Sequence, residues 1–216
     1  MRTKTDIIAQ LLDPGIIAVV RAQSASQVLP LSEALLAGGV VAIEITMTTP
    51  NALEAIRETR KQLGERALLG MGTVLDGDTC KAAIEAGAEY VVTPILRTEL
   101  VPIARAADRP IMLGAYTPTE AQLAHEAGAD FIKIFPADTL GPGYIKSLRA
   151  PLPHLKIVPT GGIEVENVAA FLKAGCVAVG AGGSLVSARI LQDSNWPELT
   201  RRAAEFVAAA KKARGE

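Results

Sequence analysis

DFIKIFPA, Asp130 to Ala137, is a strongly apolar run with one lysine, Lys133, set between two isoleucines. Its β-branched and aromatic make-up reads as a buried strand. Period-2 alternation puts Phe131, Lys133 and Phe135 on one face and Ile132 and Ile134 on the other. Neither face of such a strand meets bulk water. Lysine is almost never fully buried unless its charge is compensated, and desolvation lowers its pKa, which is how a lysine becomes an amine nucleophile near neutral pH. The plainer alternative is a strand-end lysine whose ammonium reaches solvent or an ion-pair partner.

Outward from this run, the chain repeats itself. IIAVVRA, VVAIEIT, ALLGMGT, EYVVTP, PIMLGAY, DFIKIFP, LKIVPTGG and VAVGAGG begin at Ile16, Val40, Ala67, Glu89, Pro110, Asp130, Leu155 and Val177. The spacing is roughly 20–27 residues, and a segment of helical period follows each run, which is the βαβα pattern of an α/β fold. Eight such units in 216 residues predict a single-domain (β/α)8 TIM barrel spanning residues 1–216, with an N-terminal helix in the segment MRTKTDIIAQLLDPG. A doubly wound sheet is the alternative topology.

The connecting segments carry helix signals of their own. Thr49 before Pro50 reads as a cap and first-turn pair, with Leu53, Ile56 and Leu63 on one face of the helix that follows. Gly87, Gly128 and Gly175 recur as helix stops at one place in the repeating unit. Near the carboxyl end, Ser194 or Asn195 caps a helix whose apolar stripe is Leu199, Ala203, Phe206, Val207 and Ala210.

With 49% hydrophobic and 4% aromatic residues, the chain has the make-up of a soluble globular protein. Its 22 basic and 23 acidic residues are interspersed and sum to −1, so nothing marks a nucleic-acid or membrane partner. Cys80 and Cys176 form no metal or redox motif and read as thiols in a reducing, cytoplasmic setting. His125, in a helix, and His154, in a Pro-rich loop, stand far from a second ligand, so no metal is expected.

In a TIM barrel the polar residues that carry chemistry sit at the carboxyl ends of the strands. Arg21, Glu44, Thr46, Thr73, Thr93, Pro94, Lys133 and Phe135 fall there. Glu44 shares a face with Ala42 and Thr46, opposite Val41, Ile43 and Ile45, and so points into the barrel if the aliphatic face packs on helices. A carboxylate and an amine projected inward from two strands serve as base and nucleophile, or merely neutralise each other. PTGGI ends the seventh strand and VGAGGSL the eighth. Glycines there let backbone N–H groups approach a ligand, at the frequent phosphate site of this barrel.

IEIT around Glu44, GMGTV around Thr73, TPTE at Thr117 to Glu120, KIFPA around Lys133, PTGGI and GGSLV follow one another along nearly the whole chain. In this the chain resembles the bacterial class I aldolases that cleave 2-dehydro-3-deoxy-6-phosphogluconate (KDPG) or 4-hydroxy-2-oxoglutarate (KHG). The resemblance implies that Lys133 is the Schiff-base lysine and Glu44 the proton-transfer carboxylate. It implies a pyruvate contact at Thr73 and a wall at Phe135, with Arg21 and Pro94 among the substrate-binding positions. Gly161, Gly162, Gly183 and Ser184 would hold the substrate phosphate. It further implies a homotrimer, a small 2-keto-3-deoxy sugar acid phosphate as the substrate, and no cofactor. The sequence departs from the family at one point. Many members read E-V-T-L-R-T, with an arginine for the pyruvate carboxylate. Here the run is EITMTT, and Thr48 stands in that place. A threonine makes no bidentate charged contact, so Thr48, Thr73, Arg21 and backbone donors would share the task. A barrel that binds a phosphorylated ligand without turnover is the rival from another class.

Overall fold

The computed structural model describes residues 2–215. Eight parallel strands follow the order β7-β6-β5-β4-β3-β2-β1-β8. They are β1 (Ile16–Val20), β2 (Ala42–Thr46), β3 (Leu68–Gly72), β4 (Tyr90–Val92), β5 (Ile111–Ala115), β6 (Phe131–Ile134), β7 (Ile157–Pro159) and β8 (Val179–Ala181). The bridge between Thr160 and Gly180, with Val177 N–H donating to Ile157 O at 3.0 Å, brings β7 to β8 and all but closes the ring. The expected TIM barrel is therefore the observed one, and each strand begins within two residues of its sequence-derived start.

Among the described residues, ten α-helices alternate with the strands or flank them: α1 (Lys4–Leu12), α2 (Val28–Ala37), α3 (Ala52–Leu63), α4 (Gly77–Glu85), α5 (Val101–Ala106), α6 (Pro118–Glu126), α7 (Gly141–Arg149), α8 (Val165–Lys173), α9 (Ala188–Asp193) and α10 (Trp196–Arg214). Gly87, Gly128 and Gly175 follow α4, α6 and α8 with φ of 109°, 93° and 100°, the left-handed stop that their positions predicted. Asn195, rather than Ser194, caps α10 by accepting from Glu198 N–H. The start of α3 differs from its expected form. Asn51 takes the N-cap position in left-handed backbone, and Thr49 instead accepts a hydrogen bond from Ala22 N–H at 3.1 Å, tying β2's exit to that of β1.

Strand alternation sorts the side chains into two layers. Outward residues such as Ile43, Ile45, Ile132 and Ile134 pack under the helices. Inward residues Ile17, Ala42, Leu68, Tyr90, Met112, Phe131 and Val158 fill the barrel's lower half, where Ile7 and Leu11 of α1 plug the bottom. Partly buried ion pairs fasten that plug. Arg2 pairs with Glu89 at 2.9 Å, Arg60 reaches the other carboxylate oxygen at 2.9 Å, and Lys4 meets Asp130 at 2.8 Å. With its lower half packed mainly with apolar side chains, the barrel keeps its inward charged groups, Glu44 and Lys133, for the upper end.

Candidate active site

The site follows from the alternation of two strands. On β6, Phe131 and Lys133 are successive inward positions, and on β2 so are Ala42 and Glu44. These strands stand four places apart in an eight-stranded ring, so their inward side chains meet across its centre. Lys133 Nζ lies 3.3 Å from Glu44 Oε1, and the two residues are 4% and 2% exposed. The Lys133 ammonium position also lies 5.5 Å from the centre of the half-buried Phe135 ring. Both readings of Lys133 thus meet in one geometry: the lysine has an ion-pair partner, and the pair is sealed inside a barrel mouth.

Room for the pair comes from what β3 lacks. Gly70 and Gly72 are its inward positions between β2 and β4; a Cβ on Gly72 would sit 2.1 Å from Glu44 Oε1, and one on Gly70 would sit 2.3 Å from the Tyr90 ring. Glycine at these two sites lets a carboxylate and a phenol lie over the sheet where side chains would otherwise stand.

Around the mouth, the remaining expected residues divide into two arcs. Thr73 and Pro94 follow β3 and β4, on the arc that runs from Glu44 to Lys133 through β5. Thr73 has φ of 60°, and a β-branched residue in left-handed backbone costs on the order of 1–3 kcal/mol, strain that concentrates at functional sites. Its hydroxyl makes no hydrogen bond among the described residues. The other arc carries Arg21 after β1 and the glycine loops after β7 and β8. Arg21, Phe135, Gly161, Gly162, Gly183 and Ser184 line one cavity of 230 Å³. Arg21 forms no ion pair among the described residues, so this cavity presents an unpaired guanidinium beside exposed loop backbone. That combination suits an anion.

Thr48 lies apart from both arcs in its hydrogen bonding. Thr46 Oγ1 donates to Val20 O at 3.1 Å and stands 2.7 Å from Thr48 Oγ1. A hydroxyl has one proton, so Thr46 must accept from Thr48, whose own proton is then engaged.

Several residues at the site carried no signal in the sequence beyond their neighbours. Thr160 and Gly182 line the anion cavity with the expected set. Ser184 donates its hydroxyl to Ile163 O, tying the two glycine loops together, and its carbonyl accepts from Arg202 Nη1 of α10 at 3.0 Å. Arg202 is itself held by Glu198 at 2.9 Å. The two charge-assisted bonds from Arg201 and Arg202 pull the Glu198 carboxyl down to about 2. An i,i+4 pair on an outer helix face ordinarily reads as a solvated ion pair.

Elsewhere the groups are plainer. A larger groove, 540 Å³, lies outside the barrel between α4 and α5, lined by Ile84, Pro102 and Ile103, with no buried reacting pair in it. His125 and His154 are exposed, with ring centres 4.5 Å apart. Burial pushes the Cys80 thiol up to about 11 and that of Cys176 to about 12. Among the described residues, no three His, Cys, Asp or Glu side chains gather as metal ligands, and no helix is long and apolar enough to cross a membrane.

Comparison with known proteins shows the family. The family model for KDPG and KHG aldolase matches residues 7–202. A 2-dehydro-3-deoxy-phosphogluconate aldolase of Pseudomonas aeruginosa is 34% identical over 89% of this chain and 87% of its own. A 2-dehydro-3-deoxy-6-phosphogalactonate aldolase of Escherichia coli K12 is 34% identical over 92% of this chain and 95% of its own. Among solved structures, the KDPG aldolase of Legionella pneumophila, with pyruvate captured at low pH as a covalent carbinolamine intermediate, superposes with a TM-score of 0.86 at 27% identity, over 93% of this chain and 97% of that one.

Proposed function

The chain belongs to the KDPG and KHG aldolase family of carbon–carbon lyases, and from that premise we propose that it cleaves 2-dehydro-3-deoxy-6-phosphogluconate to pyruvate and glyceraldehyde 3-phosphate through an imine on Lys133. The observation that carries the reading is the sealed pair of Lys133 Nζ and Glu44 Oε1, 3.3 Å apart across the barrel's centre. A nucleophile and a proton acceptor in hydrogen-bond reach are the two groups that imine chemistry needs. The covalent carbinolamine in the Legionella relative's structure supports it.

The steps follow from the groups in place. The Lys133 amine adds to the C2 ketone, and the carbinolamine loses water to give a protonated imine. Glu44, through water, takes the proton of the C4 hydroxyl. The C3–C4 bond breaks as that oxygen becomes the aldehyde carbonyl, and the bonding pair moves into the iminium to leave an enamine. Glyceraldehyde 3-phosphate departs. Proton return to C3 of the enamine restores an imine, and water releases pyruvate and the free lysine. Thr73, on one arc, has the free hydroxyl for the pyruvate carboxylate, with Pro94 beside it and Phe135 as a wall. Arg21, Gly161, Gly162, Gly183 and Ser184, on the other arc, hold the phosphoryl group. Binding at that remote end positions the scissile bond. A cytoplasmic homotrimer accompanies this reading.

A second substrate is the C4 epimer, 2-dehydro-3-deoxy-6-phosphogalactonate, favoured by the similarity to the Escherichia coli galactonate enzyme; 4-hydroxy-2-oxoglutarate is the third. Pyruvate release from the three, compared as kcat/KM, tests the assignment. The phosphogluconate compound is expected to lead, and equal turnover of the unphosphorylated acid would overturn the role given to the phosphate.

A further inference from the structure

Beneath the reacting pair lies a polar group that the mechanism does not use. Tyr90 is an inward residue of β4, 1% exposed, and its hydroxyl has no hydrogen-bond partner among the described residues. Tyr90 and Glu44 both pair in register with Gly70, from opposite sides of β3. The far edge of the Tyr90 ring lies over Gly70, and the Glu44 carboxylate lies over Gly72, the next inward position about 7 Å along the strand. The phenol and the carboxylate are thus neighbours on one face of β3, each in space that a glycine leaves. Burial, with the charges of Glu44 and Glu89, holds the phenol well above its usual value, so it stays a donor. Buried hydroxyls find partners, and ordered water is the usual one when protein atoms do not serve.

We propose that Tyr90 is a positioning residue for Glu44: its hydroxyl donates to an ordered water that in turn donates to the Glu44 carboxylate. This fixes the carboxylate's orientation toward the reacting carbon. The inference rests on the proton-transfer role proposed for Glu44. Of the other groups around Glu44, Lys133 of β6 is its ion-pair partner, Val19 of β1 and the β3 glycines carry no charge, Arg21 stands above at the mouth, and Glu89 lies toward the bottom between Arg2 and Arg60.

Exchange of the pyruvate C3 protons with solvent, followed up to saturating pyruvate, isolates the Glu44 step, because Lys133 is then held as the imine. Tyr90→Phe removes one oxygen. It is expected to lower the exchange rate at saturating pyruvate about threefold while leaving the KM for pyruvate unchanged, the split expected when a proton-transfer group is misoriented and binding is not. Borohydride trapping of pyruvate is expected to stay at the wild-type level. Coincident exchange rates for Tyr90→Phe and wild type would overturn the inference, the more so with a raised Tm, the mark of an orphan hydroxyl removed. Glu44→Gln separates the two ideas. If it abolishes exchange while Tyr90→Phe does nothing, only the Tyr90 role falls; if it exchanges like wild type, the Glu44 role falls and takes this one with it.

Discussion

Gly72 and Glu44 occupy one space: a Cβ on Gly72 would lie 2.1 Å from Glu44 Oε1 and 2.6 Å from its Cδ. The colliding group is the far end of a flexible side chain, so Gly72→Ala is expected to fold, with the carboxylate swung away from Lys133. Activity should fall about 100-fold or more, the scale of a lost general base. A retro-aldol assay on the folded variant checks this. Wild-type turnover would mean that the 3.3 Å contact between Lys133 and Glu44 does not matter to the reaction.

The anion cavity is best probed at Gly183. Gly162 has φ of 66°, and a Cβ there would meet Asp138 Cβ at 2.5 Å, so any side chain at Gly162 disturbs the backbone as well as the cavity. Gly183 has nothing within 4 Å of the space a Cβ would enter. Gly183→Val is therefore expected to leave stability and pyruvate trapping near wild type, while lowering kcat/KM for the phosphorylated substrate by about tenfold or more, a loss of roughly 1.4 kcal/mol in transition-state binding. Parallel loss of trapping and cleavage would point to distortion of the barrel end instead.

The two threonines of the mouth should behave differently. Thr48 donates its proton to Thr46, whereas the Thr73 hydroxyl makes no bond among the described residues. Thr48→Ala is expected to change the KM for pyruvate by less than about threefold, and Thr73→Ala to raise it about tenfold, the cost of one hydrogen bond to a charged group. Reversal of that order in steady-state exchange kinetics would move the carboxylate contact to Thr48.

Much of this was legible in the sequence because it depends on neighbours along the chain. Eight apolar runs mark strands buried on both faces, and alternation within VVAIEIT and DFIKIFP turns Glu44 and Lys133 inward. What was not legible depends on contacts across the sheet. EYVVTP shows Tyr90 only as one more core aromatic, since nothing in it says that Gly70 lies opposite. Thr49 reads as a helix cap by its place before Pro50, yet Ala22 N–H, from the exit of β1, donates to its hydroxyl. Arg202 reads as half of a surface pair, and only the return of α10 to the barrel brings it to the Ser184 carbonyl.

The plug at the barrel's bottom gives a stability test remote from the chemistry. Glu89 is shared by Arg2 and Arg60, with side chains 5%, 8% and 21% exposed. Glu89→Gln leaves two guanidinium groups without their anion. Removing one partner from a buried pair costs about 3–5 kcal/mol, and the partial exposure of Arg60 places the expected loss near the lower end. Denaturant unfolding measures it. Trapping of pyruvate by the folded fraction should be unchanged, since the network lies at the opposite end of the barrel from Lys133.

The imine itself is tested most directly by borohydride reduction in the presence of pyruvate, followed by peptide mass analysis. The expected result is one carboxyethyl group on Lys133, absent without pyruvate and absent in Lys133→Ala, which should remain folded and fail to cleave substrate. A reduced adduct on another lysine, or full cleavage activity in Lys133→Ala, would contradict the mechanism built on the buried amine of β6.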